Sequence, residues 1–322
     1  MTMPERFCFP RSNVIFVRKM ELKPIDVTLV ATLKGHQNPI FALTRDPQEQ
    51  LLYTGGNDKG VVEWDLSTYS FKRVLCQVGS SVYTLLRIPN SPWLAVGLRS
   101  GEVLIVDVHV QKLVARLRVQ SGAVFSVQYI ASKNELIAIG EEGVAYVWDT
   151  QEFQLLYRFQ VVKETVRVIA VAADEKTLSF GDKQGGVHLY SASDFHPIAH
   201  EQIHSMPVTS MLFNQGALLS GGRDAKMFRL HAETLHVEHE IVPHMFTVYG
   251  LAADHSGRYI ASASRDKTWK IWNASDLRLL KNISVDRGYD SHLLSINNIL
   301  WEEDCVYTVS DDKTIRVWQV IL

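Results

Sequence analysis

Histidine, a hydroxyl residue and aspartate recur together along this chain, and that combination is the raw material of nucleophilic acyl transfer. The sets are His36, Thr54 and Asp58; His204, Ser220 and Asp224; His244, Ser262 and Asp266; and His292, Thr308 and Asp312. A catalytic hydroxyl needs an exposed oxygen, an adjacent base and an oxyanion hole gathered in one pocket. Here the trio returns once per segment, and in three cases a tryptophan follows: Trp64, Trp272 and Trp318. No enzyme needs several copies, so the trios are expected to be structural and no catalytic residue is assigned.

Clustered histidines raise a second chemistry, metal binding. His196, His200 and His204 form one group, and His231, His236, His239 and His244 another. Ligands must converge on one point with support behind them. Most of these histidines fall on an outer strand or its turn, where alternation sends them to different faces. No metal and no other cofactor is expected. Gly185-Gly186 reads as a turn between strands, and Gly55-Gly56 and Gly221-Gly222 as packing glycines at strand ends. None belongs to a phosphate-cradling loop that opens a helix.

Seven units of one shape must position these residues. Their last strands end at Trp64, Val106, Trp148, Tyr190, Leu230, Trp272 and Trp318, in steps of 40 to 46 residues. Reading backward from each, a strand such as Val61 to Leu66 is preceded by a tight turn carrying Asp, as in Asn57-Asp58 or Arg265-Asp266. Before the turn runs a mostly apolar strand ending in small residues, for example Leu51 to Gly56, Leu218 to Gly222 and Ile260 to Ser264. Short apolar runs bounded by Gly and Asp are strands buried on both faces. One apolar residue opens each first strand: Ile40, Val82, Val124, Val166, Val208, Val248 and Ile296. No helical period competes.

A period near 40 to 45 residues with a Trp-Asp ending is the mark of four-stranded propeller blades. The pair survives as Trp64-Asp65 and Trp148-Asp149, and related octets run Asp58–Asp65, Asp266–Asn273 and Asp312–Gln319. From residue 27 to 322 the chain resembles the WD40-repeat family. The resemblance implies an all-β, seven-bladed WD40 β-propeller of four-stranded blades. Leu322 follows Trp318 so closely that the seventh unit lacks an outermost strand, and Val27 to Leu33 is expected to complete that blade and close the ring. Joining both ends in one blade removes two exposed edges. The expected organisation is one domain, 27–322, preceded by a lead, 1–26, that is loose or disordered. Asn13 to Lys19 is the stretch of that lead able to add an edge strand, and Met20 is a plausible shorter start.

The resemblance also assigns roles. His36, Thr54, Asp58 and Trp64 would form a buried hydrogen-bonded chain, as would His244, Ser262, Asp266 and Trp272, and His292, Thr308, Asp312 and Trp318. In the fifth unit His204, Ser220 and Asp224 remain, with Leu230 in place of Trp. Asp holds the histidine tautomer while the hydroxyl links ring to indole. Units two to four begin at Val78-Gly79, Gln120-Ser121 and Val162-Lys163, lack the histidine, and are expected to rely on apolar packing alone.

In this family the residue after the first apolar one of each unit faces the channel mouth. Here that position holds Phe41, Tyr83, Phe125, Arg167, Thr209, Tyr249 and Asn297. A second set, before each turn Asp or its equivalent, is Asn57, Arg99, Glu141, Lys183, Arg223, Arg265 and Asp311. Together they predict an aromatic mouth inside a mainly positive ring, and aromatics with Arg dominate interaction hot spots. Between the sixth and seventh units Val285 to Ser291 is an insertion, expected to rise beside Tyr249 and Arg265.

Composition narrows the function. Hydrophobic content is 46%, charged content 21% and net charge -2, so a core can form and no global basic excess calls for nucleic acid. The stretch 1–20 has no apolar core of a signal peptide, and no run approaches a membrane span. Cys8, Cys76 and Cys305 are few and unrelated in context, which fits a reducing compartment; cytoplasm is the expected location. The expected function is a non-catalytic scaffold, monomeric on its own. It binds a protein partner through a peptide or loop, acidic or phosphorylated, at the channel mouth. The alternatives are an RNA or ribonucleoprotein module using the basic rim, and an enzyme using the central cavity. No channel-facing set of carboxylates or histidines supports the enzyme.

Overall fold

The computed structural model of the chain describes residues 25–46 and 48–322. The expectations placed on Asn13 to Lys19, on Met20 and on Cys8 lie outside these residues. Within them, seven sheets of four antiparallel strands follow one another; six pair their strands in chain order from inner to outer, and the last takes its outer strand from the start of the chain. The inner strands are Ile40–Asp46, Val82–Arg87, Val124–Ile130, Val166–Val171, Val208–Asn214, Val248–Ala253 and Ile296–Glu302. Each inner strand touches the next, and the last touches the first, so the seven blades form a closed ring. Among the described residues no helix is long and apolar enough to cross a membrane.

Closure is the work of the N-terminal strand. Asp26–Lys34, one residue longer at each end than the sequence indicated, pairs antiparallel with Thr314–Ile321, from Asp26 opposite Ile321 to Lys34 opposite Thr314. It is the outer strand of blade 7, whose other strands come from the opposite end of the sequence. The family's sequence repeat is therefore offset by one strand from the blade.

Burial follows the strand's place in the blade. The second strands Leu51–Gly56, Ala217–Gly222 and Tyr259–Ser264 are buried at every position, because neighbouring blades cover both faces. Outer strands such as Leu155–Gln160 are largely exposed. Apolar clusters fill the spaces between blades; one joins Trp269 and Trp318 across blades 6 and 7, ring centroids 5.6 Å apart. Close backbone approach explains two of the strand-end glycines. A Cβ at Gly56 would stand 2.0 Å from the Pro39 carbonyl oxygen, and one at Gly140 1.9 Å from that of Ala123.

Blades 3 and 4 do not rely on apolar packing alone, contrary to expectation. In blade 3, Glu142 occupies the turn position of Asp58 and accepts the Ser121 N–H at 2.7 Å and the Tyr146 hydroxyl at 3.1 Å. In blade 4, Asp182 accepts the N–H of Gln184 and of Gly186 and lies 2.7 Å from His188 Nε2. Blade 3 thus keeps a carboxylate at the turn position as Glu, and blade 4 supplies one two residues earlier, from the end of its second strand.

Candidate interaction site at the channel mouth

Every inner strand carries a bulge at the same place. Ile40 pairs with Gly56 and Ala42 with Gly55, so Phe41 is an extra residue with no partner across the ladder. The same slip isolates Tyr83, Phe125, Arg167, Thr209, Tyr249 and Asn297. A bulged residue leaves the strict in-and-out alternation and is re-aimed. The seven side chains accordingly line one cavity of about 520 Å³ at the channel mouth, together with Arg265, Asp311, Ser295 and Asn298.

All seven bulge residues are half-buried rather than exposed, and four of them pack on one another. Phe41 meets Tyr83 edge to face with centroids 5.8 Å apart, and Tyr83 lies flat on Phe125 at 5.6 Å. The Arg167 guanidinium continues the series 4.9 Å above the Phe125 ring. Across the mouth, Asn297 donates to the Ile40 carbonyl at 2.9 Å and to Asp311 at 2.8 Å, tying blade 7 to blade 1. The cavity thus has an aromatic wall on blades 1 to 3 and a polar wall on blade 7.

The second predicted set divides. In all seven blades the backbone N–H of this residue donates to the carbonyl just before the inner strand, at 2.8 to 3.2 Å. Only Arg265 and Asp311 reach the cavity; Asn57, Arg99, Glu141, Lys183 and Arg223 stand exposed outside it. They sit on the turn beyond the second strand, one strand farther from the channel than the bulge residues. Inside the cavity the charges are therefore Arg167, Arg265 and Asp311, while the other cations lie farther out.

Beneath the rim lie the hydrogen-bonded chains. His36 Nδ1 is 2.6 Å from Asp58 and its Nε2 2.7 Å from Thr54 Oγ1, which accepts the Trp64 indole N–H at 2.7 Å. In blade 6 the corresponding distances are 2.9, 2.8 and 2.8 Å through His244, Asp266, Ser262 and Trp272. In blade 7 they are 2.8, 2.9 and 3.1 Å through His292, Asp312, Thr308 and Trp318. Blade 5 joins His204 to Asp224 at 3.0 Å and to Ser220 at 3.0 Å, and the Phe228 ring packs edge-on against the imidazole. An ionised Asp only accepts, so Nδ1 carries the proton and Nε2 accepts from the hydroxyl. Burial pushes His244 and His292 below the ordinary histidine range, against the upward pull of their Asp partners. Burial alone would raise the Asp312 carboxyl, but the hydrogen bonds from His292 and Thr314 outweigh it and bring it down to about 2. The hydroxyls of Thr54, Ser220, Ser262 and Thr308 are wholly buried and carry no access for a substrate.

These chains also hold up a feature that the sequence reading missed. The amides of Met245 and Leu293 donate to Asp266 and Asp312 at 3.0 and 3.3 Å, which leaves the side chains outside. Met245 is 81% exposed, Phe246 53% and Leu293 65%. The available signal was the pair of apolar residues directly after His244 and His292. None of the residues of the insertion between blades 6 and 7 lines the cavity. The insertion makes a short 3-10 turn, Val285–Arg287, and Tyr289 then packs edge-on against Trp318. Arg316 anchors it by bonding the Asp290 carbonyl and carboxylate.

Comparison with known proteins agrees with this architecture. The family model described as "WD domain, G-beta repeat" matches residues 27–65 and 236–273, each an outer strand plus three strands of the next blade. The chain is 24% identical over 309 residues to Nuclear distribution protein nudF of Emericella nidulans, covering 90% of this chain and 61% of that protein. It is 27% identical over 167 residues to Protein groucho of Drosophila melanogaster, covering 50% of this chain and 22% of that one. With Transducin beta-like protein 3 of Bos taurus it shares 22% over 298 residues, 88% of this chain and 32% of that one. The chain thus spans less than two thirds of the length of each. The chain is thus a seven-bladed β-propeller, closed into a ring, that carries WD40 repeats in the two stretches that match the WD-domain model.

Proposed function

We propose that this propeller is a non-catalytic scaffold that receives a peptide or loop of a protein partner at the channel mouth. Relatives carrying WD40 repeats are typically protein-interaction scaffolds, which supports the general role. The observation that carries the particular reading is the convergence of seven bulge residues on one cavity, with an aromatic wall and Arg167 and Arg265 beside it. An apolar anchor fits against stacked rings, and Arg pairs with carboxylate or phosphate through two parallel hydrogen bonds. Arg99, Lys183, Arg223 and Arg265 are exposed and make no ion pair among the described residues, which favours acidic or phosphorylated neighbours of that anchor. In this reading residues 27–322 act as one domain, monomeric on its own, in the cytoplasm.

Partner capture by folded Tyr83→Ala and Arg265→Ala, against an outer-strand control such as His236→Ala, tests the reading. Loss of a true anchor is expected to cost about 2 kcal/mol or more, roughly thirtyfold in affinity. Equal capture by all three would move the interface to the blade sides or the opposite face. A steep loss of binding with salt, tracking RNA rather than protein, would favour the ribonucleoprotein alternative.

A further inference from the structure

Blade 4 lacks the histidine–hydroxyl–aspartate chain, and its own polar residues gather elsewhere. Asp182 ends the second strand, Thr177–Asp182; His188 lies in the third, Gly186–Ser191; His200 lies in the outer one, Pro197–Gln202. His188 and His200 are direct cross-strand partners, with ring centroids 4.4 Å apart. His188 Nε2 is 2.7 Å from Asp182 Oδ2, and ligand-capable atoms of all three residues lie within 4.8 Å of one another. None of the three lines the channel cavity.

Three further observations suit a ligand set. Asp182 Oδ1 is held by the N–H of Gln184 at 2.7 Å and of Gly186 at 2.9 Å, which turns Oδ2 toward the imidazoles. Such outer hydrogen bonds orient metal-binding carboxylates. The space over Gly186 is bounded by the donors: a Cβ there would stand 2.5 Å from Asp182 Oδ2 and 3.1 Å from His200 Nε2. Finally, Asp182 and His188 are 3% and 8% exposed, whereas His200 is exposed, so the group is anchored on one side and open on the other.

We propose that Asp182, His188 and His200 bind one divalent transition-metal ion of the zinc type, with its fourth position open to solvent. Two imidazoles and a carboxylate suit zinc and its neighbours rather than calcium or magnesium, which take oxygen ligands. Ligand atoms at roughly 2.0–2.1 Å from a tetrahedral zinc stand roughly 3.3 Å from one another. The Nε2–Oδ2 pair must open by a fraction of an ångström, and the exposed His200 must swing in slightly. On binding, Nε2 of His188 gives up the proton it shares with Asp182: the neutral imidazole takes the Nδ1–H tautomer, and the metal takes the lone pair freed on Nε2. The sequence considered His200 with His196 and His204, but His204 is engaged by Asp224 and Ser220, and His196 lies beside Asp194 in the exposed turn.

The probe is Co(II) added to the metal-stripped full chain and followed by its visible d–d bands, with Zn(II) as competitor. One equivalent should bind with the spectrum of a four-coordinate ion and be displaced by one equivalent of Zn(II). His200→Ala and His200→Gln, chosen because that side chain is exposed and its loss should not unfold the blade, should each weaken binding at least about tenfold. His236→Ala should bind as the parent does. Absence of saturable binding, or parental affinity in both His200 variants, overturns the proposal. So does loss of binding in His236→Ala, which would place the ion on blade 5.

Discussion

Tyr83 lies flat against Phe125, ring planes 9° from parallel, although the two belong to different blades. Each is the unpaired residue of its own bulge, so the contact joins two blades through side chains that neither ladder uses. Arg167 caps the far side of Phe125. Phe125→Leu removes both contacts while keeping an apolar side chain of similar reach. Stacked aromatic pairs contribute about 0.5–1.5 kcal/mol beyond their buried area. Denaturant unfolding should show a loss of about 1 kcal/mol, with partner capture reduced as in Tyr83→Ala. Unchanged stability would mean that the rings merely share space.

Asp266 collects four donors: His244 Nδ1 at 2.9 Å, the Met245 N–H at 3.0 Å, and the Thr268 N–H and hydroxyl at 3.0 and 2.7 Å. Asp266→Ala strands these groups below the rim. A cost of roughly 1–3 kcal/mol is expected, visible as a lower melting temperature. Partner affinity of the protein that remains folded should hardly change. The reverse pattern, intact stability with abolished activity, would revive a catalytic role for the trio.

Acid should weaken the fold in two stages. His244 and His292 sit below the unperturbed value of 6.5 in the folded chain, so between the two values the unfolded chain binds more protons. Their contribution is complete above that value and is lost as pH falls through it toward the folded values. The Asp312 carboxyl, ordinarily near 3.8, is held at about 2, so its contribution is present above 3.8 and disappears as pH falls toward 2. Urea midpoints measured from neutral to strongly acidic pH should decline first in the histidine window and again in the carboxylate window. Flat midpoints across the histidine window would contradict the neutral buried imidazoles.

Ring closure makes the sharpest prediction about chain integrity. Deleting residues 1 to 34 removes the strand paired with Thr314–Ile321 and leaves that edge open. An unpaired edge recruits other strands, so light scattering should show dimers or aggregates. Deleting only residues 1 to 19 leaves every pair of that strand in place and should yield a monomer. A stable monomer from the longer deletion would show that blade 7 closes without it.

The blade count, the inner strands opening at Ile40 through Ile296, the offset N-terminal strand and the partners of the four histidine chains were all legible in the sequence. The strands and blades are written in local patterns: alternation within a strand, Gly and Asp at a turn, and a period that repeats seven times; the histidine chains follow from the resemblance to WD40 repeats. The same resemblance, carried around the ring by the register of the repeats, picked out the seven positions that line the cavity. Sequence did not disclose that these residues are bulges, that their rings stack from blade to blade, or that Arg99, Lys183 and Arg223 stand off the cavity. Nor did it show the Val285 to Ser291 insertion turning back onto Trp318, or Asp182, His188 and His200 meeting in blade 4. Spacing along a strand determines which face a side chain takes, and repetition transmits that choice around the ring. Which neighbour it then meets depends on bulges and cross-strand pairing between segments far apart in the chain, and only the closed ring decides those contacts.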